Sequence, residues 1–168
     1  SEELMAQEEE MRQNLEEMQA TQEDLKRQME VNNIAQAELA KEKILVDTLL
    51  KTAREKIYFK DLESRFIKVS QSMAADFKLS NTDELLGKND FDFFTEEHAR
   101  PAFDDEMKII ETGKPIIDKI EKETHADGRI TYVSTSKMPL YDENSKIIGT
   151  FGISKDVTAA IEMEHEIK

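Results

Sequence analysis

The 168 residues carry 37 acidic and 23 basic side chains, a formal net charge of −14, with 7% aromatics and neither Cys nor Trp. That balance excludes a nucleic-acid or anionic-membrane surface, which needs clustered Lys and Arg. The missing Cys excludes disulfides, thiolate zinc, iron–sulfur clusters and a cysteine nucleophile.

No apolar run approaches the ~20 residues of a membrane span, and the acidic N-terminus lacks an apolar signal core, so a cytoplasmic location without membrane contact is expected. Opening Ser-Glu-Glu in mid-pattern, the chain reads as a piece of a larger protein. Two compositions are joined in it. All 11 aromatics (3 Tyr, 8 Phe), all 5 Gly and all 3 Pro lie at or after Tyr58.

Residues 1–56 repeat every seven positions. Leu4, Met11, Met18 and Leu25 each follow two acidic residues, and Asn32, Leu39 and Val46 continue the series more loosely. A second series four residues later contains Leu15, Met29 and Leu50, with polar Gln22 and Gln36. Sustained apolar spacing of 3.5 without Gly or Pro predicts a coiled-coil helix ~75 Å long. Leu4, Met11, Leu15, Met18, Leu25, Met29 and Leu39 are its expected interface in a parallel homodimer. A trimer, an intrachain hairpin and a lone helix are the alternatives. From Ile34 to Leu45 the spacing is eleven, where the supercoil should locally unwind. Glu8 with Arg12 and Glu23 with Arg27 are expected i,i+4 pairs.

Residues 57–158 read as a small α+β domain. Strands are predicted at 57–61 and 66–70. Helical material follows at 72–79, with a turn at 83–87 stopped by Gly87 and an aromatic turn at 91–94. A longer helix at 96–111 has acids in its first turn, as the helix dipole favours, and Gly113 and Pro115 stop it. Strands at 116–124, 130–140 and 147–155 complete the sheet, with Asp127-Gly128 turning between the first two. Gly149 and Gly152 mark a bulge or the close approach of another group. Residues 159–168 read as the start of an exit helix. This order predicts one antiparallel sheet with helices on one face.

The second segment resembles the PAS sensor-domain family. The residues that carry the resemblance are Tyr58-Phe59-Lys60-Asp61, Leu86 to Phe94, Glu111-Thr112-Gly113-Lys114-Pro115, Asp127-Gly128-Arg129, Ser134 to Asp142 and Gly149 to Thr158. The resemblance implies an α+β fold with a five-stranded antiparallel sheet in spatial order 2-1-5-4-3 and flanking helices. It implies a non-catalytic sensing and relay module of a bacterial receptor, with a sensor histidine kinase of a two-component system as the expected parent. A ligand-free dimerisation or spacer module is the alternative. The heptad segment resembles the acidic linker helices of such receptors.

No cofactor is expected. Photoactive flavin members need a Cys, which this chain lacks, although noncovalent flavin binding stays open. The haem members' axial His position falls near Ala102, one turn after His98. His98, His125 and His165 read as solvated residues without metal-ligand spacing. Carried across strand by strand, the family's ligand positions fall on Glu123, Val133, Thr135, Thr150 and Ser154. Alternation adds Glu121 and Lys137 to that face.

Lys137 beside Glu121 or Glu123 would be either a structural pair or a contact for a small anionic ligand. Phe91, Phe93, Phe94, Phe103 and Met107 read as core. The resemblance places Asp156 and Thr158 at the boundary of the last strand and the exit helix. Both are good helix-start residues that can couple sheet to helix.

Overall fold

A computed structural model describes residues 1–167. The chain divides between Val46 and Asp47 into two compact units.

The first unit is helix alone, the part of α1 (Glu2–Thr52) that precedes Asp47. One unbroken helix removes the intrachain hairpin. Leu4, Met11, Leu15, Met18, Leu25, Met29 and Leu39 are each more than half exposed. The expected ion pairs shift by one residue. Arg12 binds Glu9 and, at 2.8 Å, Glu16, while Arg27 binds Asp24. Partners three residues apart reach as well as those four apart.

The second unit starts with the last turns of α1, where Leu50 is buried and Asp47 lies 3.6 Å from Lys68. There follow β1 (Lys56–Lys60), β2 (Phe66–Val69), α2 (Gln71–Asp76), short 3₁₀ turns at Thr82–Leu85 and Asp90–Asp92, and α3 (Glu96–Thr112). Then come β3 (Ile116–Thr124), β4 (Ile130–Tyr141), β5 (Ile147–Asp156) and α4 (Thr158–Ile167). The strands form one antiparallel sheet in the expected order β2-β1-β5-β4-β3.

Helix α2 stops earlier than its apolar spacing suggests. Lys78 takes a left-handed φ of 60°, and the Lys78 and Leu79 amides bind the Ala75 and Ala74 carbonyls at 3.0 and 2.8 Å. This is the paired C-terminal cap that usually carries Gly, here built on Lys, so no stop signal shows in the sequence. Gly113 ends α3 as its position predicts, at φ 71° with its amide on the Ile109 carbonyl.

Tyr58, Phe66, Val69, Met73, Ala74 and Leu85 form the apolar core, with Phe77, Leu79 and Phe93 against it. Of the aromatic and Met residues expected in the core, Phe94 is buried. Phe91, Phe93, Phe103 and Met107 are only partly so, because they lie where the helices meet water.

In β4 every second residue from Thr131 to Pro139 is buried, which puts Val133, Thr135 and Lys137 on the helix-covered face. Ser134 and Ser136 therefore point to the opposite face. In β1 the buried residues are Lys56, Tyr58 and Lys60.

Candidate ligand-binding site

Inside the helix-covered face lies a cavity of about 20 Å³, room for about one water molecule. Lys56, Tyr58 and Lys60 of β1 line it with Glu121 and Glu123 of β3, Thr135 and Lys137 of β4, and Ser154 of β5. Met73, Asp90, Phe94, His98 and Ala102 close it from the helix side. Lined mostly by ionisable groups, it is governed by charge pairing.

Lys60 is the most enclosed cation, 1% exposed. Its ammonium donates to Asp90 at 2.8 Å and to Glu106, which is fully buried on α3 and also accepts from Ser64 at 3.1 Å. Burial opposes the Lys60 charge, but the two carboxylates outweigh it and hold its pKa above the ordinary value. Asp90 is the converse. Burial pushes it up, and the Lys60 and Lys137 ammoniums bring it below the usual range.

Lys137 differs. It is 3% exposed, its nearest carboxylate oxygen is on Glu106 at 3.9 Å, and among the described residues its ammonium makes no hydrogen bond. Burial works against its charge, yet Glu106 and then Glu121 hold its pKa up. The expected pairing with Glu121 or Glu123 is therefore corrected. Glu106 is the near partner, and Glu121 acts from farther away while lying 3.9 Å from Lys119.

Glu123 belongs to a second network. Its Oε1 accepts from Lys56 at 3.1 Å and from Thr131 at 3.0 Å, and Lys56 also reaches Asp76 at 3.3 Å. Thr131 Oγ1 lies 3.0 Å from His125 Nε2, and Arg129 approaches His125 Nδ1 at 3.3 Å. Arg can only donate, so Nδ1 accepts and Nε2 carries the proton. Burial and then the Arg129 charge hold the His125 pKa below its ordinary value.

His125 is thus buried at 3% exposure rather than solvated, because the Asp127-Gly128 hairpin folds it under Phe94 and Phe77. His98 is likewise turned inward, its side chain 9% exposed, with Nδ1 donating to the Lys122 carbonyl at 3.1 Å. Asp76, Glu123 and His125 bring potential metal-ligand atoms within 4.8 Å of one another. The Lys56 ammonium already binds both carboxylates, and the His125 Nε2 proton is donated to Thr131. The arrangement is a closed hydrogen-bond network with its own cation.

Of the other expected positions, Thr135 Oγ1 and Ser154 Oγ share a 2.7 Å bond, and Tyr58 Oη lies 3.3 Å from Ser154. Burial raises the Tyr58 pKa well beyond the phenol range. Val133 and Thr150 are buried on the same face but do not line the cavity. Ala102 lines the cavity and offers no ligand atom. His165 is exposed.

At the exit, Asp156 Oδ1 accepts the Thr158 amide at 2.8 Å, while the Tyr132 amide donates to Thr158 Oγ1 at 2.9 Å. Burial raises the Asp156 pKa, and the two Thr158 hydrogen bonds lower it further than that. Asp156 thus ties the start of α4 to the end of β5, and Thr158 ties it to β4.

The family model described as PAS fold matches residues 51–162. The chain belongs to the PAS fold family. The chain is 29% identical over 121 residues to the methanogenesis regulatory histidine kinase FilI of Methanothrix harundinacea, covering 72% of this chain and 13% of that protein. A diguanylate cyclase of Vibrio cholerae is 25% identical over 89 residues, covering 52% of this chain and 28% of that protein. The solved VqmA–ligand–DNA complex of Vibrio cholerae is 26% identical with a TM-score of 0.60, covering 66% of this chain and 50% of that one. The chain therefore spans well under two thirds of these relatives' own length. Among the described residues no helix is long and apolar enough to cross a membrane.

Proposed function

We propose that this PAS domain is a cytoplasmic sensing-and-relay module of a larger signalling protein, with a sensor histidine kinase as the parent. It binds a small anion at Lys137 and passes the change to the helices at its two ends. The observation that carries this reading is the Lys137 ammonium, which lines the cavity at 3% exposure without a hydrogen bond among the described residues. An enclosed ammonium held only by carboxylates at a distance leaves its donor positions open to a ligand that accepts from them. FilI is a histidine kinase and VqmA has been solved with the ligand DPO, which suits a PAS domain that reports a small molecule to an output module.

Relay requires paired helices. The exposed Leu and Met stripe of α1 suits a parallel homodimer. Gln22, Asn32 and Gln36 weaken its seam, so a few kcal/mol from the domain can bias two helix arrangements.

Native mass spectrometry tests both parts. A dimer carrying a retained small mass is expected. Acetate or phosphate should raise the melting temperature of the wild type and leave Lys137→Met unmoved. A monomer at tens of micromolar overturns the relay. No retained mass and equal responses from both proteins overturn the anion site.

That last outcome would leave a ligand-free dimerisation and spacer module. The cavity of about 20 Å³ favours this second reading, since it admits little more than a water molecule.

A further inference from the structure

We propose that Glu123 is the residue through which the cavity grips the incoming and outgoing chain segments together. The inference rests on the relay reading and names its internal link.

One oxygen makes both connections. Glu123 Oε1 accepts from Lys56 Nζ at 3.1 Å and from Thr131 Oγ1 at 3.0 Å. Lys56 is the first residue of β1, four positions after α1 ends. Its ammonium also binds Asp76, the last residue of α2, and the neighbouring Glu55 carbonyl accepts from Ser72 in the first turn of α2 at 2.7 Å. Residues 55 and 56 therefore hold α2, a wall of the cavity, at both ends.

On the other side, Thr131 precedes Tyr132. The Tyr132 amide donates to Thr158 Oγ1, and its carbonyl accepts the Val157 amide at 2.9 Å. The start of α4 is thus anchored one residue from the Glu123 bond. Glu123 lines the cavity. Whatever enters and takes this oxygen loosens both anchors at once. Lys56 has its ammonium buried and a flexible stem, so losing Glu123 draws its charge toward water and pulls on the residues before it.

Two independent contacts would behave differently from one shared oxygen, and hydrogen exchange of the whole chain separates them. Glu123→Leu, which removes the acceptor oxygen, should speed exchange about tenfold or more in both 47–55 and 157–161, leaving 136–141 of β4 unchanged. Lys56→Met should loosen only 47–55, and Thr131→Val only 157–161, with Thr131→Ser restoring the wild-type pattern. The proposal is overturned if Glu123→Leu loosens one end or neither, or if either one-ended variant loosens both. Should Glu123→Leu exchange everywhere, the one-ended variants decide the matter alone. None of these readouts needs a ligand, so an anion site that fails at Lys137 leaves this result standing.

Discussion

The Lys60 ammonium lies 2.8 Å from an Asp90 carboxylate oxygen, in a part of the domain where Lys60 is 1% exposed and its second partner, Glu106, is fully buried. Two carboxylates share that cation at close range. Removing it leaves both in a poorly solvated space with only the more distant Lys137 ammonium. Lys60→Met should therefore cost about 3–5 kcal/mol in urea unfolding. Lys60→Met with Glu106→Leu should cost less than the single change, because one stranded charge goes with it.

Lys137 has a milder expectation. Among the described residues its ammonium has no hydrogen bond to lose, and Glu106 keeps Lys60 and Ser64 when it is gone. Lys137→Met removes a charge that Glu106 and Glu121 favour only from a distance, so the loss should be smaller than for Lys60→Met, about 1–2 kcal/mol. Comparing the two unfolding curves distinguishes a structural lysine from one held for another purpose.

The difference between these two lysines was not legible in the sequence. Alternation correctly assigns Lys137 to the inner face, because its strand runs unbroken from Thr131 to Pro139. Its partner sits on α3, and strand spacing says nothing about how that helix is rotated over the sheet. Lys56 and Lys60 were hidden for another reason. The strand predicted at 57–61 leaves Lys56 outside and offers no partner for Lys60. The structure turns the lysines inward, and Phe59 on the other face is satisfied by stacking on Phe151 at 5.7 Å. The sheet order follows from the family pattern, whereas the buried charge network depends on tertiary packing.

Acid should destabilise the domain in two steps. Folded His125 has its pKa lowered by burial and by Arg129, with Asp76, Glu123 and Lys56 also facing it. The unfolded chain therefore takes up this proton first, and stability should begin to fall as pH drops below about 6.5. Asp90 is also lowered, since Lys60 and Lys137 outweigh its burial. Its contribution is present above about pH 3.9 and is lost as pH falls through its lower folded value. Melting temperature measured across this range should show both steps. His125→Leu should remove the upper one and leave the lower.

Gly149 carries a steric expectation that leads back to Lys60. A Cβ on Gly149 would overlap the Lys60 carbonyl oxygen and come within 3.0 Å of its carbon, both backbone atoms paired into the sheet. A Cβ on Gly152 would meet the Tyr58 ring instead. A ring can rotate or shift, whereas the β1 backbone can yield only by leaving β5. Gly149→Ala should therefore cost about 3 kcal/mol or more, and Gly152→Ala about 1–3 kcal/mol. Displacing β1 at this point also moves the Lys60 ammonium away from Asp90. Gly149→Ala should consequently shift the lower acid step toward higher pH, while Gly152→Ala leaves it in place. Equal losses from the two substitutions, with no shift of that step, would show that β1 can move without disturbing the buried charges.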